Sequence, residues 1–266
     1  MQQYSPIITV MLKAIRKTSQ KLVRDFGEVE ELQVSRKGPK EFVSAANIRA
    51  EQTLLDELKY ARPGYSTLSA ESGATKGEDD EYRWIIAPLS GTTNFLHGFP
   101  LFCISIALER NQQGGRKEIV AAITHSPITR ETFWAEKGQG AWLEAGDRAG
   151  MIRLRIARRS KLKDAVLCVG SSEGDLENQN ELSNSVCATR CIGSTALSLA
   201  YLAAGRFDSF MHKDAKLWEI AAGILMVNEA GGTVTDIKGK YKMFEDKSIL
   251  AANEELHDLV FKSIKK

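Results

Sequence analysis

The chain has 266 residues, of which 43% are hydrophobic and 26% charged, enough for one large or two small globular domains with a sizeable core. A formal net charge of only +2 gives no support to nucleic-acid binding from bulk charge. No apolar run approaches the ~18–20 residues of a membrane span, and the N-terminus lacks a signal-peptide pattern, so we expect a cytoplasmic protein with no membrane partner.

Two helices are predicted in the first 61 residues. Apolar residues recur at helical spacing over 6–26, and Gly27 is expected to end that helix. A charged loop with Gly38-Pro39 should follow over 28–40. Ser44 is expected to cap a second helix over 45–61, which Pro63-Gly64 would end.

Strand patterns dominate the middle of the chain. They cover Trp84–Ile86, Phe102–Leu108, Ile119–Ile123 and Glu131–Ala135. Gly138 and Gly140 lack a following Gly-Lys-Ser/Thr, so they favour a hairpin turn over a phosphate loop.

A basic segment runs from Arg153 to Lys163. At its start Ile152, Leu154 and Ile156 alternate with two arginines, which predicts a half-exposed strand. The charges fit a solvated face, and a docking patch for an acidic partner is the alternative.

The last hundred residues mix strands and helices. Strands are predicted at 166–169, 207–211, 233–237 and 248–252, and helices at 196–204, from Trp218 to a stop at Gly231-Gly232, and after a capping Asn253. Gly193-Ser194-Thr195 begins one of these helices, where free backbone N–H groups suit a phosphate, although an ordinary cap fits equally well. The mixture indicates an α/β or α+β fold in layers.

The stretch 84–100 reads Trp-Ile-Ile-Ala-Pro-Leu-Ser-Gly-Thr-Thr-Asn-Phe-Leu-His-Gly-Phe-Pro. An apolar run followed by small polar residues predicts a buried strand that ends in a loop, and such loops commonly bind ligands. Gly91 would let the backbone approach a ligand, and Thr92 and Thr93 offer hydroxyls. A plain structural turn is the alternative.

This stretch resembles the signature of the magnesium-dependent inositol monophosphatase family, Trp-Ile-Ile-Asp-Pro-Leu-Asp-Gly-Thr-Thr-Asn-Phe. A second block resembles the same family in the same order. It consists of Gly193-Ser-Thr-Ala-Leu and, about 130 residues after the start of the signature, Trp218-Glu-Ile-Ala-Ala-Gly with Glu-Ala-Gly-Gly. Phe26-Gly-Glu-Val-Glu and Lys37-Gly-Pro are most similar to its bacterial extragenic-suppressor branch.

The resemblance implies a layered αβαβα sandwich, commonly dimeric, that hydrolyses inositol 1-phosphate and related polyol phosphates with Mg²⁺. The bacterial branch also implies a possible transcription-complex partner. We expect one compact unit with two parts. Residues 1–145 would carry the signature, and residues 146–266 would carry the 193–204 and 218–232 motifs.

The family's metal positions are substituted in this chain. Ala70 stands at the ligating Glu of a Gly-Glu-Glu motif, beside a retained Glu71. Ala87 and Ser90 stand at two metal-binding aspartates, and Leu89 between them still offers its carbonyl. The further family ligand Asp is Glu219 here.

The positions implied for catalysis and substrate binding are partly retained. Asn47 stands at the Asp that would help Thr92 activate water, and His212 stands at the Glu that would grip the polyol. Gly91, Thr92, Ser194 and Thr195 match the family.

Two functions follow. The first is a family member with a degraded Mg²⁺ site, weak or inactive as a phosphatase, that acts as a binding or regulatory protein. The alternative is an active Mg²⁺-dependent phosphatase that uses Glu71, Glu219, the Leu89 carbonyl and Thr92. A hydrolase of another type is a weaker third, because no Gly-x-Ser-x-Gly elbow is present.

Overall fold

Two β-sheets alternate with three helical layers in the computed structural model, which describes residues 4–32, 39–112, 114–146, 150–170 and 180–264. The helices are α1 (Pro6–Leu32), α2 (Pro39–Ala61), α3 (Thr92–Leu96), α4 (Asn180–Ser185), α5 (Thr195–Ala203), α6 (Leu217–Glu229), α7 (Met243–Asp246) and α8 (Glu254–Ile264). A short 3₁₀ turn covers Leu162–Asp164.

The first sheet has eight strands in the order β2-β1-β3-β4-β5-β6-β7-β8. They are β1 (Tyr65–Ser69), β2 (Gly73–Thr75), β3 (Asp79–Ser90), β4 (Cys103–Asn111), β5 (Lys117–Ser126), β6 (Glu131–Glu136), β7 (Gly140–Ala145) and β8 (Met151–Arg153). The β1–β3 pair is parallel, and the other neighbouring pairs described in this sheet are antiparallel.

The second sheet has five strands in the order β10-β9-β11-β13-β12. They are β9 (Val166–Val169), β10 (Ala188–Arg190), β11 (Ser209–His212), β12 (Thr233–Thr235) and β13 (Ile249–Ala252). β9 pairs in parallel with β10 and β11, while β13 pairs antiparallel with β11 and β12.

Side-chain alternation along the strands assigns the layers. Trp84 and Ile86 of β3 belong to a core that α1 and α2 complete, whereas Ile85 belongs to a core with α5 and α6. The second sheet shares that middle core through Phe210, and its other face packs against α8. Both faces of the first sheet are therefore buried, which explains the nearly continuous apolar runs. The predicted αβαβα sandwich is confirmed.

The middle helices pack closely because α6 carries small residues. A Cβ built on Gly223 would lie 2.4 Å from the Cβ of Leu199 on α5. Any side chain at Gly223 would force the two helices apart. This contact fixes the position of the first turn of α6, which lies at the candidate site.

Several helix and strand boundaries in the structure differ from those predicted. α1 continues past Gly27 because the apolar face continues to the buried Val29. α2 begins at Pro39, a residue type suited to a first helical turn, so both ends of the predicted 28–40 loop are helical, and residues 33–38 lie outside the described residues. β3 runs through Pro88 to Ser90, since a register shift against β4 between Ala87 and Ser90 accommodates the proline.

The strand predicted over 152–156 was too long. β8 ends at Arg153, yet Leu154 and Ile156 are buried in the middle core. β8 pairs with β7, and the division of the chain at residue 145 stays a prediction.

The predicted cap of the last helix is confirmed, since the Asn253 Oδ1 accepts the Leu256 N–H at 2.9 Å. Within the described residues, no helix is long and apolar enough to cross a membrane.

The end of β3 is joined to the second half of the chain by Asn94. Its side-chain amide donates to the carbonyls of Leu101 and Ile192, at 2.7 Å each. Gly193 follows with φ +72°, and a Cβ there would lie 2.8 Å from the Asn94 Oδ1. Gly91 has φ +96°, and a Cβ there would lie 2.8 Å from the Leu101 carbonyl oxygen. The two glycines therefore allow the close contact between the halves.

Gly91→Ala is expected to lower the free energy of unfolding because it adds both backbone strain and a clash with a carbonyl. Gly138→Ala is the matched control, since Gly138 has φ +75° but nothing within 4 Å of its Cβ position. Urea denaturation should show Gly91→Ala to be less stable than Gly138→Ala by about 1–3 kcal/mol. Equal losses in the two variants would contradict the close contact.

His125 links the outer helical layer to the first sheet. Its Nε2 lies 3.0 Å from the Ser19 Oγ on α1, and its Nδ1 lies 2.9 Å from the Thr132 Oγ1 on β6. Burial lowers the pKa of His125 to about 4, with Arg16 adding to the shift and Glu144 opposing it. The imidazole is therefore neutral in the folded protein at neutral pH.

This depressed pKa predicts that stability falls as the pH is lowered. Between the unfolded pKa of ~6.5 and the folded value the unfolded chain binds more protons, so acidification favours unfolding. Between pH 7.5 and 5, urea denaturation should show a loss of about 2 kcal/mol from this group. His125→Gln should flatten the slope, whereas His97→Gln, at an exposed loop position, should not. Identical slopes for wild type and His125→Gln would count against the assignment.

Candidate functional site

A small polar pocket lies where β3 ends and α3 begins. Its volume is about 320 Å³, and it is lined by Asn47, Ala70, Glu71, Ala87, Leu89, Ser90, Gly91, Thr92, Thr93, Trp218 and Glu219. The structure therefore brings together every residue that the sequence predicted for metal binding or catalysis.

The end of β3 supplies the floor of the pocket. Ala87, Leu89 and Ser90 are all buried. Gly91 then turns the chain into α3, and the Thr92 Oγ1 lies 3.5 Å from the Leu89 carbonyl oxygen. The Leu89 carbonyl and Gly91 are backbone features of this floor, so they are present although Ala87 donates no side-chain oxygen.

A second wall comes from α2 and the turn between β1 and β2. The buried Glu51 accepts from the backbone N–H of Glu71 at 3.3 Å and of Ser72 at 3.1 Å, which fixes the turn. The Asn47 Nδ2 donates to the Glu71 Oε1 at 2.5 Å, and the Asn47 Oδ1 is buried without a hydrogen-bond partner among the described residues. Glu71 is thus held by an amide.

The first turn of α6 forms the opposite wall. The Glu219 Oε2 accepts the backbone N–H of Lys216 at 3.0 Å, in the manner of a capping box. This bond ties one carboxylate oxygen of Glu219 to its own helix. Trp218 is half-buried beside it.

The other predicted substrate-binding residues lie behind the pocket, outside its lining. Ser194 caps α5, and its Oγ lies 2.9 Å from the Ser90 Oγ. Thr195 follows, and its Oγ1 lies 3.1 Å from the His212 Nδ1. Ser194, Thr195 and His212 are all buried, so their predicted contact with a ligand stays a prediction.

Cys103 borders the buried hydroxyl pair formed by Ser90 and Ser194. Its Sγ lies 3.6 Å from the Ser194 Oγ, and burial raises the pKa of the thiol to about 12. A thiol with this pKa remains protonated at neutral pH and is a poor nucleophile or metal ligand.

The side chains present do not fit a two-metal magnesium centre. Mg²⁺ requires several hard oxygen ligands in near-octahedral geometry. The pocket offers two carboxylates, and each makes a hydrogen bond to a protein N–H group. Across the part of the chain that the structure describes, no group of three or more His, Cys, Asp and Glu side chains is arranged to hold a metal ion.

Sequence reasoning gave no site role to Trp218 or Glu51. Trp218 lines the pocket, as does Thr93, whose hydroxyl the sequence offered to a ligand, and Glu51 fixes the turn that carries Glu71. The position of Trp218, next to a predicted site residue, could have indicated it. Glu51 carries no such signal, because a glutamate on a helix is ordinarily solvated.

A family model described as the inositol monophosphatase family matches residues 3–266. A Caulobacter vibrioides protein named inositol-1-monophosphatase is 44% identical over 96% of this chain and 99% of its own length. A Pseudomonas aeruginosa protein named Nus factor SuhB is 34% identical over 93% of this chain and 92% of its own.

A solved structure supports the same grouping. The extragenic suppressor protein SuhB from Bartonella henselae is 44% identical, with a TM-score of 0.87 over 98% of this chain and 99% of that one. The match spans both sheets and all three helical layers. This chain belongs to the inositol monophosphatase family.

Proposed function

We propose that this chain is a binding or regulatory member of the inositol monophosphatase family that is weak or inactive as a phosphatase. The observation that carries the proposal is the pocket lining, in which only Glu71 and Glu219 are carboxylates and Ala70 and Ala87 offer no side-chain oxygen. Without enough ligands for a pair of cations, the water activation and charge neutralisation of two-metal hydrolysis are not supplied.

Electrostatics supports the same conclusion. No Lys, Arg or His lines the described part of this pocket, so two carboxylates would face a phosphate dianion directly. At 4 Å such like-charge contacts cost about 1–4 kcal/mol each, depending on the local dielectric. Binding of a phosphorylated polyol or another anion would therefore need a cation, or donors from the backbone at Gly91 and Thr92.

The second candidate is Mg²⁺-dependent hydrolysis of inositol 1-phosphate or a related polyol phosphate. The names of the relatives support this candidate better than the first, because the Caulobacter protein is named inositol-1-monophosphatase and nothing in its name suggests loss of activity. Glu71, Glu219, the Leu89 carbonyl and Thr92 are the groups here that could hold one Mg²⁺.

The partner proposals rest on the family resemblance and on names. A homodimer is proposed from the family. A transcription-complex partner is also proposed, because the Pseudomonas relative is named a Nus factor. The exposed cations of the 153–163 segment are a candidate docking face for an acidic partner.

We expect no phosphate release from inositol 1-phosphate above a chelated blank, because the ligand set is incomplete. The assay uses high enzyme concentration with millimolar Mg²⁺ or with chelator, and the same samples should show no Mg²⁺-dependent rise in melting temperature. Ala70→Glu, Ala87→Asp, Ser90→Asp and Asn47→Asp combined should gain both responses. Metal-dependent release by the unmodified chain, abolished by Glu219→Ala, would establish the second candidate instead.

Restoring carboxylates should also destabilise the metal-free protein. Ala87 and Ser90 are only 2% and 5% exposed, so Ala87→Asp with Ser90→Asp would bury two like charges near Glu71 and Glu219. In chelator we expect a loss of about 2–4 kcal/mol in urea denaturation. Ala74→Asp, at an exposed position of β2, is the control and should change stability little. Unchanged stability of the double variant would show that the pocket tolerates these charges without metal.

A further inference from the structure

A second, larger cavity also borders α6. Its volume is about 770 Å³, and it is lined by residues of β3, β4, β5 and α6, by Lys137 after β6 and by the segment 241–245. None of its lining residues lines the candidate pocket. A volume of this size is typical of sites for small organic ligands.

The most buried charged group of this cavity is an ion pair on the first sheet. Arg83 of β3 lies directly across from Glu109 of β4, and the Arg83 Nη2 lies 2.7 Å from the Glu109 Oε2. The Glu109 side chain is 1% exposed, whereas that of Arg83 is 21% exposed and lines the cavity. Glu109 therefore holds a guanidinium group in place at the cavity wall.

This pair is incompletely satisfied. The Arg83 Nε and both carboxylate oxygens of Glu109 are buried and have no hydrogen-bond partner among the described residues, so the 2.7 Å contact is an ion pair without a well-aligned hydrogen bond. A buried ion pair is costly unless hydrogen bonds complete it, so an anion at the exposed part of the guanidinium would offset part of this cost. A fixed guanidinium is well suited to donate hydrogen bonds to a planar or tetrahedral oxyanion.

The cavity lining carries four cationic and four acidic side chains, and two of the cations have no ion-pair partner among the described residues. Arg116 and Lys117 are exposed on the rim and form no ion pair with any described residue. Lys137, by contrast, is paired with Glu118, and the Glu229 carboxylate accepts the backbone N–H groups of Gly138 and Gly140 at 2.8 Å each. Glu245 is the remaining exposed acid of the lining.

The opposite wall is apolar and partly aromatic. It consists of Leu217, Ile224 and Leu225 of α6 together with Tyr241, Met243 and Phe244. Tyr241 is 81% exposed, a level at which an aromatic ring gains from contact with a flat apolar partner. The cavity thus combines a cationic end with an aromatic wall.

We propose that this cavity binds a small aromatic phosphate, with its anionic head on Arg83, Arg116 and Lys117 and its ring against Tyr241 and Phe244. The proposal is independent of the function proposed for the first pocket, because the two sites share no residue. It requires no metal and no hydrolysis.

The test is calorimetric titration of the full chain with benzylphosphonate, which cannot be hydrolysed as a phosphate ester, in the presence of chelator. We expect saturable binding with one site per chain. Benzyl alcohol lacks the charge and inorganic phosphate lacks the ring, so each should bind at least about tenfold more weakly. No binding of benzylphosphonate up to millimolar concentration, or equal affinity for benzyl alcohol, would overturn the proposal.

Variants locate the site. Arg116→Ala with Lys117→Ala removes two exposed cations and should raise the Kd at least about tenfold with an unchanged melting temperature. Lys161→Ala with Lys163→Ala removes two exposed cations that do not line the cavity, and should leave the Kd unchanged. Arg83→Lys keeps the charge beside Glu109 but loses the fork of donors, and should also weaken binding. Equal losses in both double variants would mean attraction to overall charge and would reject this site.

A mutation in the first pocket separates the two proposals. Glu219→Ala should not change the Kd for benzylphosphonate, because Glu219 does not line the second cavity. If Glu219→Ala changes the Kd in either direction while Arg116→Ala with Lys117→Ala does not, the ligand occupies the first pocket and the second-site proposal fails.

Discussion

The burial of the first sheet on both faces is the constraint on which the rest of the structure depends. Trp84 and Ile86 must fill one core and Ile85 the other, so the centre of β3 has no room for a polar side chain. Along β3 the polar side chains therefore lie on either side of this apolar centre, and the candidate pocket opens at the Ser90 end, where the backbone direction changes. The packing of the apolar layers therefore determines where the candidate site lies, whichever side chains occupy its lining.

The apolar core that holds β3 is separate from the side chains that line the pocket. This explains how the pocket can keep its shape when its ligand residues are substituted. Gly91, the Leu89 carbonyl and the Asn94 bridges are backbone features or contacts to backbone, and they hold the loop whichever side chains stand at 87 and 90. Small neutral residues at those positions also remove the repulsion that clustered carboxylates would create without cations. A family scaffold can thus tolerate loss of its ligand set without loss of its fold.

The sequence predicted most of the fold and the membership of the site, but not its finer arrangement. β9 matched at both boundaries because its apolar run is short and sharply bounded, whereas α1 ran past Gly27 because packing of Val29 outweighed the glycine. All the predicted site residues line the pocket except Ser194, Thr195 and His212, which are buried behind it. Their burial depends on the distance between α5 and β3, a long-range property that local pattern does not encode. The Arg83–Glu109 pair was missed for the same reason, since cross-strand register joins residues 26 positions apart.

The distribution of the four tryptophans gives the molecule two built-in optical reporters. Trp84 and Trp134 are each 1% exposed in the outer core, where Trp142 stacks on Trp134, whereas Trp218 is half-buried on the wall of the candidate pocket. Emission from these three indoles should shift when the layers separate, while the Trp218 indole lies where a bound molecule or a neighbouring charge would alter its surroundings. Occupancy of the pocket and integrity of the fold are therefore readable by fluorescence from different residues of the same unlabelled chain.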